Sequence, residues 1–413
     1  DKKIIINEKP IEFILLVNEF NESNPFESLI SFLPKINFDN YYEGKENNNY
    51  MFLTEDSISA TYLTYDKSNE QCFAAKIFWK LSGEEQIKSF KREVMITSNF
   101  NHPSIIKYIS YNEFSLLNKN EHYPTLLMNF IPKCNLENVI EMQPIWWNNT
   151  TKLKVIIGIV SGLYQMFLYN VSHYNLSTES ILLNEKFEPV ICNFGFLNKF
   201  LIDEQEKVKP RIGKIVIMAP ELFIKEKFSN YKYEINSYSF GILLYQILTN
   251  RSINNVYSSY DVKTVIHDKF NNYVPKLPDD MNPFFKDIIK RCLNVSYNER
   301  PDPISIFNDL IELIKSNNQI LPNLDIDSIN EYIQKLISTI PDIKILQAKK
   351  LIQKCYIHSP EINNKINELQ NDLKTNQKFT IVNNKLFNLI KNYSILYIST
   401  ENKVDEIQQI CRN

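Results

Sequence analysis

The sequence predicts an α+β fold of two unequal lobes, a small β-rich one followed by a larger helical one, flanked on both sides by helical segments. Three observations predict it. Strand-like runs alternate with turn signals from Met51 to Phe78. After Glu84 the apolar spacing becomes helical, and it stays predominantly helical from Leu153 to Ile314. The chain has 413 residues, 44% of them apolar, which is long enough for two or three domains with full cores and too apolar for disorder.

Taken in order, residues 1–47 read as a helical N-terminal segment and linker. Their apolar runs at Ile11 to Phe20 and Phe26 to Leu33 suit amphipathic helices, and the polar stretch Asn40 to Tyr50 suits the linker. Strands are expected at Ile58 to Tyr65 and Cys72 to Phe78, inside a domain spanning 48–315. Residues 321–413 form a helical C-terminal tail. Ser328 and Glu331 make a capping box ahead of Ile333, Leu336, Ile337 and Ile340. Ser359 and Pro360 fit the start of a further helix that carries Ile362, Ile366, Leu369 and Leu373 on one face. No repeat of fixed period runs through this tail, so it reads as helices packing on their neighbour.

Charge and cysteine usage exclude several classes of function. Forty-six basic against 48 acidic residues leave a net charge of −2, with no excess to hold nucleic acid or an anionic membrane surface. Cys72, Cys134, Cys192, Cys292, Cys355 and Cys411 form no CxxC pair, so neither a disulfide framework nor a zinc site is indicated, and a reducing cytoplasm is the expected location. His102, His122, His173, His267 and His358 lack ligand spacing, so no metal is expected from them. The longest early apolar run, Ile11 to Val17, is interrupted by Glu12 and is far short of a membrane span. The chain begins at Asp1 rather than Met, as a fragment of a longer protein would.

Between residues 48 and 315 a series of short motifs occurs in a set order. Phe73-Ala74-Ala75-Lys76 is followed by Glu93 within Phe90-Lys91-Arg92-Glu93-Val94, and then by His102-Pro103-Ser104-Ile105-Ile106. Trp147, Lys152 to Gly158 and Gly162-Leu163 precede the loop His173 to Leu183; Asn193-Phe194-Gly195 lies 18 positions beyond Asn175. Gly213 to Glu221 ends in Met218-Ala219-Pro220-Glu221, and Ser239-Phe240-Gly241, Arg291-Cys292-Leu293 and Arg300-Pro301 complete the series. Only seven glycines occur, and Gly162, Gly195, Gly213 and Gly241 all fall on these landmarks. The series resembles the protein kinase superfamily, and Trp147 with the residues after it resembles the tyrosine-kinase-like group. The resemblance implies a two-lobed protein-kinase-like fold, with Lys76 and Glu93 as the pair joining the sheet to the regulatory helix.

Phosphoryl transfer in that family needs a loop over the phosphates, a lysine, magnesium ligands and a base. The resemblance places each of these parts, and at most of them the residue differs. Thr54, Asp56 and Ser59 stand where the loop's three glycines are expected, and their Cβ atoms keep backbone away from phosphates. Asn175 replaces the catalytic aspartate, and its amide has no useful basicity; such a base is worth about 10²- to 10⁴-fold. Asn193 and Ser180 replace the metal ligands, offering dipoles where magnesium is usually anchored by carboxylates. Ser177 replaces the lysine that steadies the phosphate, and Lys214 the threonine after Gly213. Between Asn193 and Glu221 there is no Ser, Thr or Tyr, and the arginine that would receive a loop phosphate is Tyr174.

What remains largely holds such a fold together: Lys76 with Glu93, Glu221 with Arg300, and His173 with Phe194 in the core. The expectation is therefore a degenerate pseudokinase, a catalytically impaired domain that serves as a signalling scaffold or allosteric binding module for a protein partner. No intact catalytic residue, metal or cofactor is expected, and ATP binds weakly if at all, through the vestigial site at Lys76 and Glu93. The alternatives are a low-activity unconventional Ser/Thr kinase that binds ATP, and an interaction protein whose recognition lies in the helical tail.

Overall fold

β-Branched and aromatic residues over 59–66 and 72–78 build the centre of a sheet whose strands are all antiparallel. The computed structural model describes residues 33–35, 37, 40–43, 45–46, 49–55, 59–79, 90, 93–94, 97, 100–117, 123–169, 171–194, 212–223, 233–253, 261–272, 274–316 and 320–340. All of these except Ile340 belong to one unit spanning 14–339. The strands in chain order are β1 (Tyr41–Glu43), β2 (Lys45–Glu46), β3 (Asn49–Tyr50), β4 (Phe52–Glu55), β5 (Ser59–Asp66), β6 (Cys72–Phe78), β7 (Tyr108–Asn112) and β8 (Thr125–Asn129). The main sheet runs β1-β5-β6-β8-β7, with β4 also paired to β5, while β2 and β3 form a separate two-stranded hairpin. The expected strands at 58–65 and 72–78 are therefore present within a residue.

The polar stretch from Asn40 to Tyr50 is not a linker. Tyr41, Tyr42 and Glu43 pair with Asp66, Tyr65 and Thr64 along the edge of β5, and the Tyr41 ring meets Phe73 edge-on at 5.8 Å. The pairing partner lies more than twenty positions away, which is why local composition conceals the strand. At the opposite rim Pro34 O accepts the Tyr111 N–H at 3.1 Å, Lys35 bridges to Tyr111 in parallel, and Lys35 Nζ meets Glu113 Oε1 at 2.8 Å. Leu33 is buried beside them. The expected helices at 11–20 and 26–33 lie, Leu33 apart, outside the described residues.

The second lobe contains α1 (Leu136–Met142), α2 (Asn149–Leu168), α3 (Ile212–Ile217), α4 (Tyr233–Thr249), α5 (Val262–Phe270), α6 (Pro283–Cys292), α7 (Pro303–Lys315) and α8 (Ile326–Ile337). Strands β9 (Ile181–Leu183) and β10 (Pro189–Ile191) make a two-stranded hairpin. Asn148 begins α2 by accepting the Thr151 N–H at 3.0 Å, a cap typically worth about 1 kcal/mol. By length and composition α2 could cross a membrane, but 94% of its apolar window is buried inside the fold, where α4, α7, α8 and β10 surround it.

Helix α8 begins earlier than the Ser328 capping box implies. Asp325 is the cap, its carboxylate accepting the Ser328 N–H at 3.0 Å. A carboxylate at this position also opposes the positive end of the helix dipole. The earlier start places Ile329 and Tyr332 beside Ile333 and Leu336 on the buried face. The expected helix at 359–373 lies outside the described residues, as do Cys355, Cys411, His122 and His358.

Candidate functional site

Strand alternation aims Lys76 into the space between the lobes. Phe73, Ala75 and Ile77 face one side of β6 and pack with Leu116 and Leu127, so Lys76 faces the other. There its Nζ lies 3.0 and 3.2 Å from the two carboxylate oxygens of Glu93, whose backbone is helical. Both side chains are buried, at 4% and 3% exposure, so the pair depends on further polar contacts to offset desolvation. Three such contacts are present. Tyr108 donates its hydroxyl to Glu93 Oε1. Asn193 Oδ1 accepts from Lys76 Nζ at 3.4 Å. The Phe78 ring lies 5.2 Å from the ammonium.

The loop that carries Asn175 is fixed from beneath. His173 donates from Nε2 to Cys192 O at 2.9 Å and accepts the Asn175 N–H at Nδ1 at 3.3 Å; the carbonyl requires a proton on Nε2, and the amide requires a lone pair on Nδ1. The His173 N–H itself donates to Asn236 Oδ1 at 2.9 Å, from the first turns of α4. The buried Phe194 ring lies tilted against His173 at 4.8 Å and Phe100 at 6.4 Å, so His173 and Phe194 pack in the core as the motif order implied. Tyr174 and Asn193 both take left-handed backbone, at φ 61 and 58. Asparagine tolerates that conformation, whereas a tyrosine there stores about 1–3 kcal/mol of strain.

The side chains of Ser180 and Asn193, where the resemblance implies metal ligands, are engaged in local bonding. Ser180 Oγ accepts the Ser177 N–H and donates to Ser177 O, both at 2.8 Å, closing a short 3₁₀ turn. Its hydroxyl keeps one lone pair and no charge for any other partner. Asn193 offers its carbonyl oxygen to Lys76. Among the described residues no group of three or more His, Cys, Asp or Glu side chains converges as a metal site would. On the sheet side, β4 and β5 form the hairpin of the phosphate-loop region, with Thr54 opposite Thr61 and Glu55 opposite Ala60. Thr54 and Glu55 are exposed and Ser59 is buried, while Asp56 and Gly195 lie outside the described residues.

The far side of the site is anchored by ion pairing. Arg300 grips Glu221 with two parallel bonds, Nη1 to Oε1 at 2.7 Å and Nη2 to Oε2 at 2.8 Å, and also donates to the carbonyls of Asn294 and Glu234. Lys269, buried at the end of α5, donates to Val216 O and Met218 O, each at 2.6 Å, and to the Tyr238 hydroxyl at 3.1 Å. Burial and the nearby Arg300 push its pKa well below the usual lysine value. Lys214 contributes its backbone to α3. Of the residues singled out from sequence, Lys76, Glu93 and Asn193 come within bonding distance of one another, Asn175 bonds to His173 and Ser177 to Ser180, while Tyr108, Asn236 and Lys269 were missed. Tyr108 and Lys269 look like ordinary strand and helix residues until their polar tips are placed; only the position of Asn236 shortly before Gly241 offered a signal.

A six-stranded antiparallel sheet with a strand lysine, a facing helical glutamate, and a helical lobe that supplies two loops to the same cleft define a protein kinase fold. The profile described as Protein kinase domain matches residues 52–310. The chain belongs to the protein kinase family. It is similar to the dual specificity protein kinase zak2 of Dictyostelium discoideum, at 27% identity over 277 residues, covering 61% of this chain and 42% of that one. Dual specificity protein kinase zakA of the same organism is 27% identical over 246 residues, covering 55% and 29%. Serine/threonine/tyrosine-protein kinase HT1 of Arabidopsis thaliana is 25% identical over 229 residues, covering 55% and 54%. The chain thus spans less than half of either Dictyostelium relative.

Proposed function

We propose that this chain is a pseudokinase of the tyrosine-kinase-like group, a signalling scaffold or allosteric module that engages a protein partner in the cytoplasm. One observation carries the reading. The residue where the magnesium carboxylate belongs is Asn193, and its amide oxygen faces the Lys76 ammonium at 3.4 Å. Replacing a carboxylate by a neutral amide there leaves any magnesium without its usual anchor. Asn175 and Ser180 stand where the resemblance implies the base and the other metal ligand, and neither carries a carboxylate.

A low-activity kinase that binds ATP is the second reading, favoured by the formed Lys76–Glu93 pair at 3.0 Å and by the kinase names of the relatives. Recognition through the C-terminal helices is the third. Purified protein incubated with radiolabelled ATP and generic Ser, Thr and Tyr substrates separates the first two. The expected result is no incorporation, together with a melting temperature that ATP shifts little and equally with or without magnesium. Incorporation that survives denaturing electrophoresis and disappears in Lys76→Met overturns the proposal in favour of the active kinase.

A further inference from the structure

Helix α8 lies beyond the last residue matched by the kinase profile, yet it is bonded into the domain at both ends. At its N-terminal end Asp325 N donates to Thr150 Oγ1 at 2.9 Å, Asn149 Nδ2 donates to Pro322 O at 3.0 Å, and Lys154 donates to the Ser328 hydroxyl. Its other half reaches two segments of the cleft's foundation. Tyr332 passes over α2 at Gly158, where a Cβ would collide with the phenol oxygen and come within 2.5 Å of Pro189 Cγ. The hydroxyl then pairs with Ser104 Oγ at 3.2 Å. One turn later, Lys335 Nζ meets the buried Glu188 carboxylate at 2.6 Å.

The two pinned segments are bonded to each other. Ile191 N donates to Ser104 O, and Ile106 N donates to Ile191 O, both at 2.8 Å. Gly162 permits this approach, because a Cβ there would stand 2.7 Å from the Ile191 side chain. His102 closes the turn, with Nδ1 accepting the Ser104 N–H at 3.1 Å and Nε2 donating to Ser161 Oγ at 3.0 Å. Two residues after Ile191 comes Asn193, and four after Ser104 comes Tyr108. These are two of the groups that surround the Lys76–Glu93 pair.

We propose that α8 is a built-in brace for the cleft: by holding the 102–106 turn against β10, Tyr332 and Lys335 position Tyr108 and Asn193 around Lys76 and Glu93. Lifting α8 is then a route by which an event on the C-terminal side of the domain reaches the cleft. Neither Tyr332 nor Lys335 touches the cleft, so both are positioning residues. The inference concerns geometry and stands whether or not the domain transfers phosphate.

Hydrogen exchange with mass-spectrometric readout on the full chain tests it, using Tyr332→Ala, Lys335→Glu, and the swap Lys335→Glu with Glu188→Lys. In both single variants, exchange should rise at least about tenfold over 103–110 and 189–194 while α4 keeps its wild-type protection, and the swap should restore much of the protection lost in Lys335→Glu. A rise confined to 320–337, or one spread evenly through α4, overturns the proposal. Should Tyr332→Ala unfold the chain, Lys335→Glu with its swap decides alone, because Lys335 is 44% exposed and is not on the buried apolar face of α8.

Discussion

Acidification should loosen the fold through one residue, His102. Its ring is buried, with one nitrogen accepting from Ser104 N–H and the other donating to Ser161, so a second proton has no acceptor. Burial, reinforced by the positive charge of Lys335, pushes its pKa down to about 3 from 6.5. Because the folded value is the lower one, the unfolded chain binds the proton first as pH falls. The stabilisation is complete above about pH 6.5 and drains away toward pH 3 at up to about 1.4 kcal/mol per pH unit. Between pH 7.5 and 5 the loss is about 2 kcal/mol, a sizeable part of the roughly 5–15 kcal/mol by which domains are stable. Urea unfolding of wild type and His102→Asn at both pH values measures it. The variant starts less stable but should lose about 2 kcal/mol less on acidification. Changes at every other group are common to both proteins and cancel. Equal pH dependence in the two would refute the reasoning.

Two further variants test the site and its anchor. Asn175→Asp with Asn193→Asp restores a candidate base and one carboxylate but leaves Thr54 and Ser59 in the phosphate-loop hairpin. ATP turnover should therefore stay far below the roughly 1–100 s⁻¹ of kinases, with at most weak magnesium-dependent nucleotide binding by calorimetry. Arg300→Met should destabilise the fold by about 3–5 kcal/mol in urea unfolding, because it strands the buried Glu221 carboxylate. A loss under about 1 kcal/mol would mean that Glu221 finds other partners.

Much of the site was legible because motif order survives where local chemistry does not. Lys76 and Asn193 are 117 positions apart, yet each was placed by its short motif, and the structure brings them within 3.4 Å. The β5 and β6 strands were legible from continuous apolar and β-branched runs. The losses have a common cause in tertiary partners. β1 is three residues whose mate is the far end of β5, and the start of α8 depends on which of two acceptable caps lets Ile329 and Tyr332 face α2. Tyr108 and Lys269 are buried residues whose role lies in one terminal atom, and apolar periodicity carries no information about that atom.

The short segments paired at the two rims of the main sheet bear on self-association. Residues 33–35 cover the outer side of β7, and residues 41–43 cover the end of β5 at the opposite border. Both covers lie before residue 48, where sequence motifs alone would begin the domain. A chain trimmed there keeps every kinase landmark but removes Pro34 O, which accepts the Tyr111 N–H at 3.1 Å, and Asn40 O, which accepts the Lys67 N–H at 2.9 Å. Backbone groups that lose such partners are templates on which a second molecule can add a strand. With residues 33–35 and 40–43 in place, these rim positions are already bonded within the chain and are not offered to a second strand.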